Sequence, residues 1–304
     1  MGGAGQPTPR QAATQQAATQ WVIAPGGRRI ACRRQPGRTP GVIFCGGFQS
    51  DMSGGKAVAL AAHCAAQGRQ FTRFDYSGHG LSAGAFEDGC IGDWAADALA
   101  VLDASDGPQL LVGSSMGAWI ALLLLRRRPQ RIAGLLGIAA APDFTEDGLR
   151  AGMDAAACAE LERHGRWLRH NDYGDEPCPI TAQLLDEARQ HLQLRAAIPC
   201  AVPVRLIHGM RDADVPWQTS RRLLQCLRGE DVQLRLIKDG GHRLSRAADL
   251  AAIRAELEGL LAACGDAVSG EAHADATRDA PGDGGSDPAH GDPGHGDPPD
   301  ISIG

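Results

Sequence analysis

Short apolar runs alternate with amphipathic stretches along most of the chain. Runs rich in β-branched and aromatic residues predict strands at residues 21–23, 29–33, 42–45, 71–74, 110–112, 132–138, 202–207 and 232–237. Apolar residues at helical spacing predict helices near residues 55–67, 93–104, 117–127, 219–228 and 247–262. Because strands that alternate with helices usually pair in parallel, the pattern predicts an α/β fold with a mostly parallel sheet and helices on both faces.

Two segments depart from this alternation. The first two predicted strands flank the turn sequence Pro-Gly-Gly at 25–27, which predicts an antiparallel hairpin at the start of the sheet. Residues 142–200 contain helical patterns at 155–163 and 182–195 between two predicted strands. We interpret this segment as a small helical cap inserted into the α/β domain.

Both ends of the chain have a composition that does not build a core. Residues 1–20 consist largely of Gly, Gln, Ala and Thr, and residues 265–304 are rich in Gly, Asp, Pro and Ala. Such segments bury too little apolar surface to offset the entropy lost on ordering. The sequence therefore predicts a disordered arm at 1–20, one domain at 21–264 and a disordered acidic tail at 265–304.

The overall composition is that of a soluble globular protein. With 304 residues, 43% of them apolar and 22% charged, the chain can form one sizeable core, and no run of 18 apolar residues predicts a membrane span. The net charge is −6, and the tail alone holds nine acidic residues against Arg278. The domain is therefore nearly neutral and lacks the basic field that nucleic-acid binding needs.

The cysteines and the N-terminus indicate the cellular compartment. Nine cysteines are scattered along the chain without a Cys-x-x-Cys or Cys-x-x-His pair, so we expect reduced core residues and no metal site. The N-terminus lacks the charged start and apolar stretch of a signal peptide, which favours the cytoplasm. Only two of the 30 basic residues are lysines, a weak indication of a GC-rich bacterial genome.

The motif Gly-x-Ser-x-Gly, typical of a serine nucleophile, occurs twice. The copy at 80–84 lies in a glycine-rich loop, whereas the copy at 113–117 follows a predicted strand and opens the next helix. A sharp strand-to-helix turn needs small residues two places on either side of the nucleophile. The context therefore favours Ser115 over Ser82.

The same turn predicts an oxyanion hole. The helix after Ser115 directs its N-terminal amides at the attacked carbonyl group, so the N–H of Met116 is a candidate donor. The loop after the strand at 42–45 contains Gly-Gly-Phe, which lets the backbone approach the substrate. We assign the second donor to the N–H of Phe48.

A serine nucleophile needs a base and an orienting acid, and the chain supplies candidates for both after later strands. His242 follows the last predicted strand, which makes it the candidate base. Asp212 and Asp214 follow the seventh predicted strand, and Asp143 follows the sixth. Asp212 lies nearer than Asp214 to its strand end, where the backbone is best held, so we favour it as the acid. We expect His208 to form hydrogen bonds within the same loop.

Six motifs together resemble the α/β-hydrolase superfamily, namely Gly-Gly-Phe-Gln-Ser-Asp-Met at 46–52, Phe-Asp-Tyr-Ser-Gly-His-Gly at 74–80, Gly-Ser-Ser-Met-Gly at 113–117, Ala-Pro-Asp-Phe at 141–144, His-Gly-Met-Arg-Asp at 208–212 and Gly-His-Arg-Leu at 241–244. More closely, they are similar to the branch of mitochondrial palmitoyl-protein thioesterases, also described as acyl-glucuronide esterases, and its bacterial relatives. The resemblance covers about 21–264 and implies a Ser-Asp-His acyl hydrolase without metal or organic cofactor. In the family's His-Gly-x-x-Asp pattern the acid is the fifth residue, Asp212. Gly46 stands where many members have a histidine.

The residues and the resemblance together predict a serine hydrolase that cleaves small-molecule acyl esters or thioesters. The apolar cap residues Met153, Trp167, Leu168 and Tyr173 are expected to form a wall for the acyl chain. Carbon–carbon bond hydrolysis and perhydrolysis stay open, because the same triad permits both. A non-catalytic ligand-binding module of the same fold and a scaffold acting through the acidic tail are the alternatives outside this chemistry.

Overall fold

The computed structural model describes residues 18–170 and 177–275, with side chains up to residue 265. The chain divides after Asp266 into two compact units, and the sheet lies in the first. Residues 1–17 of the predicted arm and 276–304 of the predicted tail lie outside the described residues. Within the described ranges, no helix is both long and apolar enough to cross a bilayer.

Eight strands form one sheet, as the alternating pattern predicted. These strands are β1 (Gln20–Ile23), β2 (Arg29–Gln35), β3 (Arg38–Cys45), β4 (Arg69–Phe74), β5 (Gln109–Ser114), β6 (Ile132–Ile138), β9 (Val204–Gly209) and β10 (Val232–Ile237), while the short strands β7 (Arg166–Arg169) and β8 (Cys178–Thr181) pair separately. The order in the sheet is β1-β2-β4-β3-β5-β6-β9-β10. Only the pairs β1–β2 and β2–β4 are antiparallel, which confirms the leading hairpin and the mostly parallel sheet.

Helices cover both faces of this sheet. The α-helices are α1 (Gly55–Ala66), α2 (Ile91–Asp103), α3 (Met116–Arg127), α4 (Ala155–His164), α5 (Ala182–Glu187), α6 (Gln218–Cys226) and α7 (Ala247–Asp275). Successive side chains of a strand point to opposite faces. In β3, Val42 and Phe44 accordingly pack with α1 and α7, whereas Ile43 and Cys45 pack with α2 and α3. The two-sided core therefore confirms the predicted α/β fold.

The parallel strands bring the candidate site residues to one edge of the sheet. Phe48, Ser115, Asp143, Asp212 and His242 follow β3, β5, β6, β9 and β10, respectively. Parallel strands end at the same edge, which is where open α/β sheets place their sites. The topology therefore gathers residues that are far apart in sequence.

The cap contains a small hairpin as well as helices, which the sequence did not predict. α4 agrees with the predicted helix at 155–163, but β7 and β8 follow it as an antiparallel pair. Most side chains of β7 are exposed, so its sequence Arg-Trp-Leu-Arg lacks the apolar run of a core strand. The predicted wall residue Tyr173 lies outside the described residues.

The second cap helix is shorter than its pattern predicted. α5 ends at Glu187, and the chain leaves helical structure before residue 195. The buried carboxylate of Asp143 accepts hydrogen bonds from the backbone N–H groups of Gln193 and Leu194, at 2.6 and 2.8 Å. A distant carboxylate therefore satisfies these amides in place of helical carbonyl groups.

The last helix is longer than predicted. α7 continues to Asp275, whereas the apolar periodicity predicted an end near 262. The chain has no proline between 263 and 275 to stop a helix. The helix thus enters the segment predicted as a disordered tail.

Candidate active site

The candidate nucleophile Ser115 lies in the turn between β5 and α3. Its backbone has φ +55° and ψ −119°, a conformation that residues other than glycine rarely adopt. A Cβ atom at Gly113 would overlap Ala118, and one at Gly117 would overlap the carbonyl oxygen of Cys45. The two glycines of the motif therefore let the turn pack tightly against α3 and the end of β3.

The candidate base His242 connects Ser115 to a carboxylate. Its Nε2 lies 3.1 Å from Oγ of Ser115, and its Nδ1 lies 2.8 Å from Oδ2 of Asp212. A carboxylate only accepts hydrogen bonds, so Nδ1 carries the hydrogen and the lone pair of Nε2 faces the serine hydroxyl. This tautomer is the one in which a histidine can take a proton from serine.

The carboxylate of Asp212 is buried and fully hydrogen-bonded. Oδ1 accepts hydrogen bonds from the backbone N–H groups of Asp214 and Val215, at 3.0 and 2.8 Å. Oδ2 accepts one from His242 and one from His208, the latter at 3.0 Å. Burial raises the pKa of Asp212, but the hydrogen bonds from His208 and His242 outweigh it and hold the pKa well below its usual range. The acid is therefore an anion at neutral pH.

The other two candidate acids have different surroundings. Asp214 contributes its backbone N–H to Asp212, which places it in the turn that holds the acid. Asp143 is fully buried, and its two oxygens accept backbone hydrogen bonds at the end of the cap. The carboxylate of Asp212 forms a hydrogen bond with His242, as the predicted acid requires.

The two predicted oxyanion donors flank Ser115. A Cβ atom at Gly47 would lie 3.5 Å from Cβ of Ser115, so the loop that carries Phe48 runs directly beside the nucleophile. Met116 begins α3 on the other side. Within the described ranges, the N–H groups of Phe48 and Met116 donate to no other residue. Both amides are therefore available to a substrate oxygen.

A buried carboxylate, Asp75, braces the candidate oxyanion loop, residues 46–54 between β3 and α1. Its oxygens accept the backbone N–H of Met52 at 2.6 Å and that of Leu81 at 2.8 Å. Burial raises the pKa of Asp75 despite these two bonds. The side chain of Ser82 lies in the same network, since its Oγ donates to the carbonyl of Asp75 and accepts from the N–H of Ala31. Ser82 therefore has a structural position, and the structure places it in a loop as expected.

An aromatic cluster adjoins the oxyanion loop. The ring of Phe48 contacts those of Phe86, Trp94 and Phe144, with centroid distances of 5.0, 5.9 and 5.4 Å. A buried apolar cluster of the cap, formed by Leu149, Cys178, Ile180 and Leu185, packs against Phe48, Phe86 and Phe144 and also against Met153 and Trp167. Met153 and Trp167, two of the predicted wall residues, are partly buried, whereas Leu168 is 46% exposed, and a wall for an acyl chain stays a prediction.

The sequence interpretation expected hydrogen bonds of His208 within its loop but did not name Asp212 as the partner. His208 was expected to form hydrogen bonds within its loop, and its Nε2 does contact the carbonyl of Val215. It also contacts Asp212 itself. The spacing of four residues in His-Gly-x-x-Asp is the signal that could have indicated this pair.

Among the side chains that the structure describes, one group has donor atoms close enough together to hold a metal ion. Asp212, Asp214 and His242 each offer a ligand atom, and these atoms lie within 4.8 Å of one another. Both oxygens of Asp212 already accept hydrogen bonds, one of them from His242. A cation would have to displace the bond that orients His242, so this donor set suits the hydrogen-bonded pair better than a metal.

Comparison with known proteins adds three findings. The model of the family described as alpha/beta hydrolase family matches residues 42–253. A mitochondrial palmitoyl-protein thioesterase of mouse, ABHD10, is 40% identical over 223 residues, which cover 73% of this chain and 75% of the mouse protein. Two solved structures are similar: a putative hydrolase from Agrobacterium vitis S4 (TM-score 0.77, 37% identity, 80% of this chain and 98% of that one) and mouse alpha/beta hydrolase domain-containing protein 10 (TM-score 0.74, 36% identity, 81% and 98%).

Proposed function

The chain belongs to the α/β-hydrolase family, and from that premise we propose that it hydrolyses carboxylic esters or thioesters through a Ser-His-Asp triad. The observation that carries the proposal is the continuous hydrogen-bonded series from Ser115 through His242 to Asp212. The thioesterase name of the mouse relative supports the same reaction class. A serine at the turn excludes halide displacement, which needs an aspartate nucleophile there.

The reaction begins with attack by Ser115. Its Oγ bonds to the acyl carbon while Nε2 of His242 accepts the hydroxyl proton. The carbonyl electrons move to oxygen, and the N–H groups of Phe48 and Met116 stabilise the oxyanion. When the tetrahedral intermediate collapses, the bond to the leaving alcohol or thiol breaks, and His242 returns the proton to it. The acyl group remains on Ser115.

Water completes the cycle by the same steps. His242 takes a proton from water, the oxygen bonds to the acyl carbon, and Ser115 departs with the proton as the acid is released. Asp212 stays ionised throughout, because its hydrogen bonds keep its pKa low. Its task is to hold the tautomer of His242 and to stabilise the imidazolium that forms in each half of the reaction.

We further propose an apolar acyl group as the part of the substrate that the protein recognises. The aromatic cluster around Phe48 lies beside the candidate oxyanion hole, and a buried apolar cluster of the cap packs against Phe48 and Phe144 as well as against Met153 and Trp167. Apolar side chains with few polar groups are typical of pockets that bind acyl chains. The printed name of the mouse relative, a palmitoyl-protein thioesterase, supports this choice.

A panel of p-nitrophenyl esters and acyl-thioesters with matched, graded acyl chains tests the function. We expect kcat/KM to rise with chain length by up to about fourfold per methylene, which is about 0.8 kcal/mol of burial. The same acyl chain is compared as ester and thioester, so that acyl recognition is separated from the leaving group. Absence of turnover across the panel, together with absence of fluorophosphonate labelling, would instead identify a non-catalytic binding module.

A further inference from the structure

A second histidine contacts the acid of the candidate triad. His208 lies in β9, and its side chain is fully buried. Its Nε2 lies 3.0 Å from Oδ2 of Asp212, the same oxygen that Nδ1 of His242 contacts at 2.8 Å. One carboxylate oxygen therefore links two imidazole rings.

The neighbours of His208 define which nitrogen carries hydrogen. Nε2 lies 3.0 Å from both the carboxylate of Asp212 and the carbonyl of Val215, which only accept hydrogen bonds, so Nε2 is the donor. Nδ1 lies 2.7 Å from Oγ of Ser220, a fully buried hydroxyl whose only side-chain partner among the described residues is this ring. The hydroxyl of Ser220 can donate to Nδ1. A neutral ring with its hydrogen on Nε2 therefore has a hydrogen-bond partner for each nitrogen.

We propose that His208 is a positioning residue of the serine-hydrolase reaction, an inference that rests on the proposed function. By donating Nε2–H to Oδ2, His208 holds the carboxylate of Asp212 where that oxygen meets Nδ1 of His242. The same hydrogen bond draws on the negative charge of Asp212, which would otherwise act on His242 alone. Ser220 fixes the ring of His208 from the opposite side.

Loss of His208 changes two properties of the site. The carboxylate of Asp212 loses one of its two side-chain donors, so it holds His242 less firmly and kcat falls. The negative charge of Asp212 then acts more strongly on His242, so we expect the acid side of the profile of kcat/KM against pH to move to higher pH. His208 is fully buried and its hydrogen-bond partners are Asp212, Val215 and Ser220, so we expect its loss to leave KM unchanged.

Other charged groups near Asp212 determine the pH range of the test. Asp214 lies beside it, and the ammonium group of Lys56 attracts it. Lys56 donates to the carbonyl of Arg243 at 2.5 Å. Burial, and then repulsion by Arg243, lowers the pKa of Lys56 to about 8. Rates are therefore compared between about pH 5 and 7, where Lys56 remains charged and exposed carboxylates remain ionised.

The test uses His208→Phe, His208→Gln and Ser220→Ala, with Leu206→Ala as the matched control. Leu206 is a fully buried residue of the same strand, so its truncation disturbs the core without touching the acid. Glutamine is the conservative variant, because its amide nitrogen can reach the position of Nε2. Each protein is measured for melting temperature, fluorophosphonate labelling, kcat and KM with a p-nitrophenyl ester, and the acid limb of kcat/KM against pH.

We expect His208→Phe to lower kcat about 10- to 100-fold, in the range typical of residues that orient a catalytic ligand, with KM unchanged within twofold. The acid limb should move up by about half a pH unit or more. His208→Gln should restore both kcat and the position of the acid limb. Ser220→Ala should shift the acid limb in the same direction as His208→Phe, but by less. Leu206→Ala should lower the melting temperature and leave the acid limb where it is.

Several outcomes overturn the proposal. One such outcome is an acid limb that does not move in His208→Phe, with a loss of kcat no larger than Leu206→Ala shows for the same loss of melting temperature. His208 would then contribute only to packing of the core. The same holds if glutamine is no better than phenylalanine. If His208→Phe does not fold, Ser220→Ala decides, and an unmoved limb there contradicts the role. Failure of the unmodified protein to label or turn over overturns the proposed function itself, which is a different result from normal labelling with an unmoved limb.

Discussion

Asp212 accepts four hydrogen bonds, and each of its neighbours explains part of its behaviour. The backbone N–H groups of Asp214 and Val215 fix Oδ1, so the carboxylate has one orientation in its turn. His208 and His242 share Oδ2. The site therefore depends on a single carboxylate whose charge and direction are both set by neighbours that come from β9, from the turn after it and from the loop after β10.

The choice of acid gives the first prediction. Asp212→Asn should keep the fold but lower kcat by about 10⁴, because an amide favours the wrong tautomer of His242. Asp214→Asn should keep most of the activity, because the hydrogen bond from Asp214 to the acid comes from its backbone N–H, which the substitution retains. Steady-state kinetics and the thermal midpoint of both variants check this, and an active Asp212→Asn protein would remove Asp212 from the mechanism.

The low pKa of Asp212 predicts how its contribution to stability varies with pH. The pKa of Asp212 in the folded state lies below its value of about 4 in the unfolded state. Its contribution to the free energy of unfolding is therefore complete above about pH 4 and is lost as the pH falls through the folded-state pKa. The difference in unfolding free energy between the unmodified protein and Asp212→Asn should shrink as the pH falls below about 4. Urea denaturation at several pH values measures it. A difference that still grows as the pH falls below about 4 would contradict the ionised, hydrogen-bonded acid.

At the scale of elements, one side chain, that of Asp143, joins the loop after β6 to the end of the cap by hydrogen bonds. Asp143 has φ +60° and ties the amides of Gln193 and Leu194 to the sheet edge. Arg195 also contacts this carboxylate, at 3.4 Å. Burial raises the pKa of Asp143 despite these hydrogen bonds. The carboxylate thus connects the cap to the strand that precedes it.

This connection predicts a selective effect of Asp143→Asn. Asparagine tolerates positive φ, but its amide can accept only one of the two backbone hydrogen bonds, so stability should fall by about 1–3 kcal/mol. A loosened cap should raise KM for long-chain esters more than for short ones. Asp147→Asn is the control, because Asp147 forms partly exposed ion pairs with Arg195 and Arg222 that are worth about 1 kcal/mol or less. Equal changes in KM for all chain lengths would show that the cap does not contact the acyl group.

The elements of the sheet could be predicted because each has a strong local signal. β6 and β10 begin and end at the same residues as the apolar runs that predicted them. The cap could not be predicted as well, because β7 is largely exposed and α5 ends through a contact with Asp143, which is distant in sequence. Local periodicity carries no information about such long-range partners.

The site residues were predictable for a related reason. Ser115 and His242 each follow a clear strand, and strand ends at one edge are neighbours in space. The contact between His208 and Asp212 depends instead on how the turn after β9 folds back, which apolar periodicity does not encode. Side-chain partners across a loop are therefore the part of the site that required the structure.

At the scale of the whole molecule, the predicted tail remains to be tested by truncation. Cys264 is buried, and its Sγ donates to the carbonyl of Ala133 in β6, so the core reaches at least this residue. Chains ending at Cys264 and at Asp275 should both keep the melting temperature and kcat/KM of the full chain. A loss in the shorter chain alone would assign a structural role to residues 265–275, and a loss in both would assign one to 276–304. The cytoplasmic location and the absence of nucleic-acid binding stay predictions.

The site of covalent labelling tests the central claim, that Ser115 is the nucleophile, most directly. The protein is treated with a fluorophosphonate, digested, and the modified residue is located by mass spectrometry. The mechanism predicts one adduct, on Ser115, which disappears in Ser115→Ala and persists in Ser82→Ala, since the Ser82 hydroxyl is held by Ala31 and Asp75. An adduct on Ser82 or another residue, or no adduct at all on the folded protein, would contradict it.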